Sequence, residues 1–130
     1  MRIRDVSRAG HELGAAELDD LPPRITLRAL LERRIRAEVA AYNTDPGPTY
    51  VGLVQPEGSI RYSDGHRVTT PRVLDADRFV TAFEQAVAAG LARVAVDGGQ
   101  ASDDLDRTID TGEVAEVAVV LARGIVARDP

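Results

Sequence analysis

Residues 110–130 read DTGEVAEVAVVLARGIVARDP. The turn-forming DTG leads through Glu113 into a run from Val114 to Ala122 that is Val, Ala and Leu throughout, with Glu116 its only interruption. So apolar a register predicts a strand that is central in its sheet or covered on both faces. Its neighbours must therefore come from elsewhere in the chain. The tail beyond it is unusual, because Ile125 and Val126 follow Gly124 before the charged end.

Upstream, LARVAVDGGQ (91–100) alternates Leu91, Arg93 and Ala95 against Ala92, Val94 and Val96, then turns at Asp97 and Gly98. SDDLDRTIDTG (102–112) reads as a connection with Leu105 and Ile109 as inward anchors. Two helices stand out further back. In ITLRALLERRIRAEVAAYN (25–43), Thr26 is a good N-cap, and Leu27, Leu31, Ile35, Val39 and Tyr42 recur at helical spacing with Leu30 beside them. Arg28, Glu32, Arg33, Arg34, Arg36 and Glu38 are read as its solvated face, with Glu32–Arg36 and Arg34–Glu38 four apart. In DADRFVTAFEQAVAAG (75–90), Asp75 or Asp77 caps, Phe79, Phe83, Ala86 and Val87 form the stripe, and Gly90 closes the helix. MRIRDVSRAG and GAAELDDLPP predict two strands joined near HELG. TYVGLVQ and SIRYSDGHRVTT predict further strands, with Asp64-Gly65 as a hairpin turn.

Composition narrows the function. The 130 residues carry a net charge of -5, and all 16 basic residues are arginine. An acidic chain does not attract phosphates globally, so general nucleic-acid binding is disfavoured. The absence of cysteine removes disulfides, thiolate metal sites and cysteine nucleophiles. The N-terminus has no apolar signal core, and the longest apolar run, 117–122, is far short of a membrane span. The expectation is a cytoplasmic protein of one domain, 1–130, with no metal and no cofactor.

The order strand, strand, helix, added segment, strand, connection, strand resembles the β-grasp (ubiquitin-like) sulfur-carrier proteins of molybdopterin and thiamine biosynthesis. The motifs are RITLRALL at the helix start, VAVDGGQA (94–101) for the family's strand and turn, the anchors Leu105 and Ile109, and DTGEVAEVAVV (110–120) for its final turn and strand. The resemblance covers about residues 1–42 and 91–123. It implies an α+β fold: a β-grasp-like mixed sheet packed on a helix, with an inserted hairpin and second helix at about 44–90. A second parse takes the second helix as the grasping one, with the hairpin 50–70. The family's carriers end in Gly-Gly, whose carboxylate is adenylated and thiolated. Here LARGIVARDP holds one glycine, Gly124, and finishes on Pro130.

No catalytic set emerges. Asp103, Asp104, Asp106 and Asp110 lack the order of a calcium loop and read as a solvated connection. Ser63, Asp64 and His66 are neighbours in sequence, which is no evidence for a triad. VDGGQAS has no Walker lysine and no following helix, so its glycines read as turn residues. The expected function is a non-enzymatic, ubiquitin-like protein-interaction module with a protein partner. The alternatives are a sulfur-carrier-like protein and a small-molecule-binding domain using His66 and Asp64. Its expected contact residues are Arg28, Arg33 and Arg36 on the first helix, Arg123, Ile125 and Val126 in the tail, and the exposed face of the last strands.

Overall fold

Thr26 accepts the N–H of Ala29 on its side-chain oxygen at 3.1 Å and so starts the first helix where the sequence places it. Its first turn has a second source of acceptors, because the N–H groups of Leu27 and Arg28 bond to the carbonyls of Arg107 and Leu105 at 2.9 and 2.8 Å. In the computed structural model, which describes residues 1–62 and 65–128, the chain runs β1 (Arg2–Ser7), β2 (Glu12–Glu17), β3 (Arg24–Thr26), α1 (Leu27–Thr44), β4 (Thr49–Tyr50), β5 (Val54–Pro56), β6 (Ser59–Tyr62), β7 (Gly65–Val68), α2 (Ala76–Ala88), β8 (Ala92–Val96), β9 (Thr108–Asp110), β10 (Glu116–Leu121) and β11 (Ile125–Ala127). Mixed sheets and two helices make it an α+β protein. Asp64 of the expected Asp-Gly turn, and Pro130, lie outside the described residues.

The chain forms two compact units, Met1–Arg34 with Ala86–Arg123, and Ile35–Gln85 with Gly124–Pro130. The expected insertion, 44–90, thus lies in the second unit up to Gln85 and in the first beyond it.

In the first unit, a four-stranded sheet has the order β2-β1-β10-β8. β1 pairs antiparallel with β2 and parallel with β10, and β10 pairs antiparallel with β8. The run that opened the sequence reading is therefore a central strand. Its two faces are covered unequally. Val117, Val119 and Leu121 are buried, whereas Glu116, Ala118 and Val120 on the other face are only half-buried. That outer face carries an ion-pair lattice: Arg4 meets Glu116 at 2.7 Å and Glu12 at 3.8 Å, and Arg2 meets Glu12 at 3.0 Å. The connection 103–110 is anchored by Leu105 and Ile109, both buried, and β9 pairs with β3. Asp97 and Gly98 both adopt positive φ, and the following chain returns to bridge Val94 with Ser102.

The inward face of β1 holds the largest departure from the sequence reading. Asp5 lies beside Val119 in the register and is 4% exposed. Arg34 of α1, read as solvated, is 1% exposed and grips Asp5 with two bonds, Nη1 to Oδ1 at 2.6 Å and Nη2 to Oδ2 at 2.7 Å. The space for this carboxylate is made by the strand opposite: a Cβ on Gly14 would come within 3.3 Å of Asp5 Oδ2. The remaining core of this unit is aliphatic, with Ile3, Leu27, Leu30, Leu31 and Val117 at 0–1% exposure.

The second unit contains all five aromatic residues. Tyr50 sits edge-on to Tyr42 at 5.4 Å between ring centroids and meets Phe79 at 5.7 Å. α1 ends here as Asp45 donates its N–H to the Tyr42 carbonyl and Tyr42 donates its hydroxyl to Gly47. TYVGLVQ is two strands, not one. Gly52 separates β4 from β5, and a Cβ there would lie 2.7 Å from the Tyr50 hydroxyl. The sheet order is β4-β7-β6. α2 is capped by Asp75, which accepts the Asp77 N–H at 3.0 Å. Within the first unit it closes through Gly90 (φ +77), with Gly90 N–H on Val87 and Leu91 N–H on Ala86.

Removing one member of the buried pair strands the other, so Asp5→Ala or Arg34→Met is expected to cost about 3–5 kcal/mol in denaturant unfolding. The double variant Asp5→Val/Arg34→Met is expected to cost clearly less than the sum of the two. Additive losses would show that the two groups do not depend on one another. Leu31→Ala is expected to cost about 2–5 kcal/mol and Arg33→Ala less than about 0.5, read from the same unfolding curves.

Candidate interaction surfaces

The arginines expected to meet a partner, and Arg34 beside them on the first helix, fall in different settings. Arg28 is partly exposed and bonds Asp106 Oδ1 through Nε at 3.1 Å. Arg33 is exposed. Arg36 bonds Asp77 through Nη2 at 2.7 Å. Arg34 is buried on Asp5. The arginine face read from the sequence is thus divided: three of its members meet carboxylates, and one of those is inside the protein.

The tail divides as well. Arg123 is exposed, in the segment leading to β11. Ile125, expected as a contact residue, is 5% exposed and packs inward, as does Ala127 at 2%. Within β11, Val126, at 40% exposure, faces outward. The reason is strand alternation, since β11 pairs in parallel with β5 and sends every second side chain down. Val126 and Arg128 line a groove of about 430 Å³ with Asp75, Arg78, Thr81 and Gln85.

The acidic run is used locally. Asp104 accepts the Asp106 N–H at 3.0 Å, Asp106 meets Arg28, and Asp110 accepts the Gly112 N–H at 2.9 Å. Asp97 of VDGGQAS accepts two backbone N–H groups, from Ala115 and Glu116, at 2.9 Å each. These carboxylates fix turns. Among the described residues, no cluster of His, Asp and Glu is arranged to hold a metal ion.

The outward face of the β4-β7-β6 sheet was not singled out by the sequence. One cross-strand row aligns Thr49, Arg67 and Ile60, and the row inward of it aligns Tyr50, His66 and Arg61. Val51 continues β4 by one residue onto the outward parity; its Cγ2 stands 3.0 Å from where a Gly65 Cβ would be. Ile60 is 57% exposed and Val51 64%. With Val73 and Val126, these are the exposed large apolar side chains among the described residues, and all four belong to the second unit. The signal available in the sequence was the alternation of SIRY and TYV, which places Ile60 and Val51 opposite to the buried Tyr50.

His66 lies on the inward row, 6% exposed, and its Nδ1 has no hydrogen-bond partner among the described residues. Burial, and then the positive charge of Arg61 on the neighbouring strand, lower its pKa from the ordinary 6.5. A lowered folded-state value means that the unfolded chain binds the proton first as the solution is acidified. The neutral imidazole's contribution to stability is therefore complete above about pH 6.5 and is lost as pH falls towards the lowered value. Denaturation midpoints are expected to drop more between about pH 7.5 and 5.5 for the parent than for His66→Gln; parallel curves would show that His66 does not titrate on folding. Searches for related proteins add no assignment, since no family model, no curated protein and no solved structure matches the chain.

Proposed function

We propose that this chain is a non-enzymatic protein-interaction module of β-grasp type, whose second unit presents the contact face. The strand order β2-β1-β10-β8, with one parallel pair at its centre, supports the β-grasp reading. So does Arg34, which brings α1 to the inward side of the sheet that β1 and β2 begin. The observation that carries the functional reading is the pair Val51 and Ile60, both more than half exposed on one face of a small sheet. Apolar side chains gathered on a surface in this way mark contact sites. The outer face of the four-stranded sheet, by contrast, is occupied by the Arg2, Arg4, Glu12 and Glu116 lattice.

The carrier reading finds less support. A carrier delivers its terminal residues as a thin, free strand, whereas here the residues after Gly124 pair with β5 and bury two side chains.

The test is affinity capture from the native host with quantitative mass spectrometry, comparing the parent with Val51→Asp and Ile60→Asp. Both variants replace exposed residues and are expected to keep stability within about 0.5 kcal/mol. A defined partner should be recovered with the parent and depleted by either substitution. Recovery of the parent chain alone, or a partner indifferent to both changes, would overturn the proposal.

A further inference from the structure

Among the described residues, β5 has a single strand neighbour, and that neighbour is the tail. The pairing is parallel and three residues long, with Ile125 opposite Val54, Val126 opposite Gln55 and Ala127 opposite Pro56. Parallel pairing is the weaker kind per residue, and an isolated two-stranded ladder is marginal in water. What seats β11 is therefore its side chains: Ile125 and Ala127 are buried, in register with the buried Val54 and Pro56. The chain entering the seat is exposed at Ala122, Arg123 and Gly124.

We infer that the edge of β5 is a strand-accepting docking site for an extended segment of a partner protein, and that residues 125–127 fill it as a built-in competitor. This rests on the interaction-module reading and specifies how a partner engages. The seat defines the segment it takes. Main-chain groups pair with β5, while specificity comes from alternate side chains, a branched aliphatic residue first and a small residue two positions later. The position before the aliphatic residue favours glycine, because a Cβ on Gly124 would stand 2.5 Å from Gln55 Nε2. Gln55 is flexible, so this is a preference and not a requirement.

The occupant is a partner and not a ligand of the groove lined by Val126. That groove is lined as much by polar as by apolar surface and holds no strand, whereas the seat on β5 already shows the pattern of chain that fits it.

The probe is a fluorescent peptide copying residues 122–128, titrated into the full-length parent and into Ile125→Asp, which unseats the tail. A seat open a tenth of the time lowers apparent affinity about tenfold, so the variant should bind at least about tenfold more tightly than the parent. A peptide with aspartate in place of its isoleucine should bind neither. Equal binding to parent and variant, or no binding to a variant that keeps its far-ultraviolet spectrum, would overturn the inference. Hydrogen exchange on the parent is a second measurement that does not depend on the variant's folding. The amides of Val126 and Ala127 should exchange at least about tenfold faster than those of 117–121 through local opening, and equal protection would overturn it. Concentration-dependent dimers of the parent, abolished by Ile125→Asp, would assign the seat to a second copy's tail and overturn a foreign partner. Failure of all these with a partner still lost in Val51→Asp would leave the interaction module standing and remove only the docking site.

Discussion

Arg34 and Asp5 meet through two short bonds, each residue almost fully removed from water. Around them the first unit has no aromatic residue, so this ion pair is the largest polar feature in an otherwise aliphatic interior. A charge in that setting is tolerated only if its partner is fixed, since either ion alone faces a desolvation penalty of several kcal/mol. The bidentate geometry then constrains much else. α1 must lie over the inward face of β1 with residue 34 facing down, β2 must offer a residue as small as Gly14 opposite Asp5, and β10 must bring Val119 alongside. A helix rotated by one position would carry Arg34 off this face and leave Asp5 buried alone, and a strand slipped by one would turn Asp5 outward and leave Arg34 buried alone. The pair therefore selects one register more strongly than it adds stability, because an apolar pair of similar volume would be equally favourable.

That pair was legible in the sequence, although opposite-charge spacing concealed it. Arg34 is four residues before Glu38, which suggests a surface pair. It is also three after Leu31, four after Leu30 and seven after Leu27, which puts it on the apolar stripe. Asp5 likewise shares the parity of Ile3 in a strand whose inward face is buried. Each charge breaks a pattern, and two such breaks of opposite sign point to one another. The local signals were more direct: Thr26, Asp75 and Gly90 act where propensity places them, because a cap depends on residues within a few positions. What the sequence hid was long-range. The carbonyls of Leu105 and Arg107 complete the start of α1 from a distant connection. Nothing near Thr26 announces them.

The division of polar and apolar surface follows from the same distinction. In the first unit, Arg2, Arg4, Glu12 and Glu116 converge on the outer sheet face from three strands, and surface pairs of this kind add little stability while keeping a sheet face wet. The second unit buries Tyr42 and Phe79 against Tyr50 of β4 and leaves Val51 and Ile60 exposed on the opposite strand parity. Their cost is an association hazard at an edge, where β6 has one neighbour. Reading strand parity alone would have located them, but exposure had to be known before they could be told from core.

The tail shows how close such an element lies to balance. Burying Ile125 contributes about 1.5–3 kcal/mol and the Ala127 methyl about 0.8. The few ladder bonds to β5 add about 0.5–1.5 each. Against these stands the ordering of three residues, about 1–2 kcal/mol apiece. The opposing sums nearly cancel, so β11 is held but not locked. This balance suits a strand that yields its place to a better-fitting one, since a competitor need surpass only a small surplus. The three-residue parallel ladder is weak because it is short, and strand alternation turns Ile125 inward and leaves Val126 in solvent.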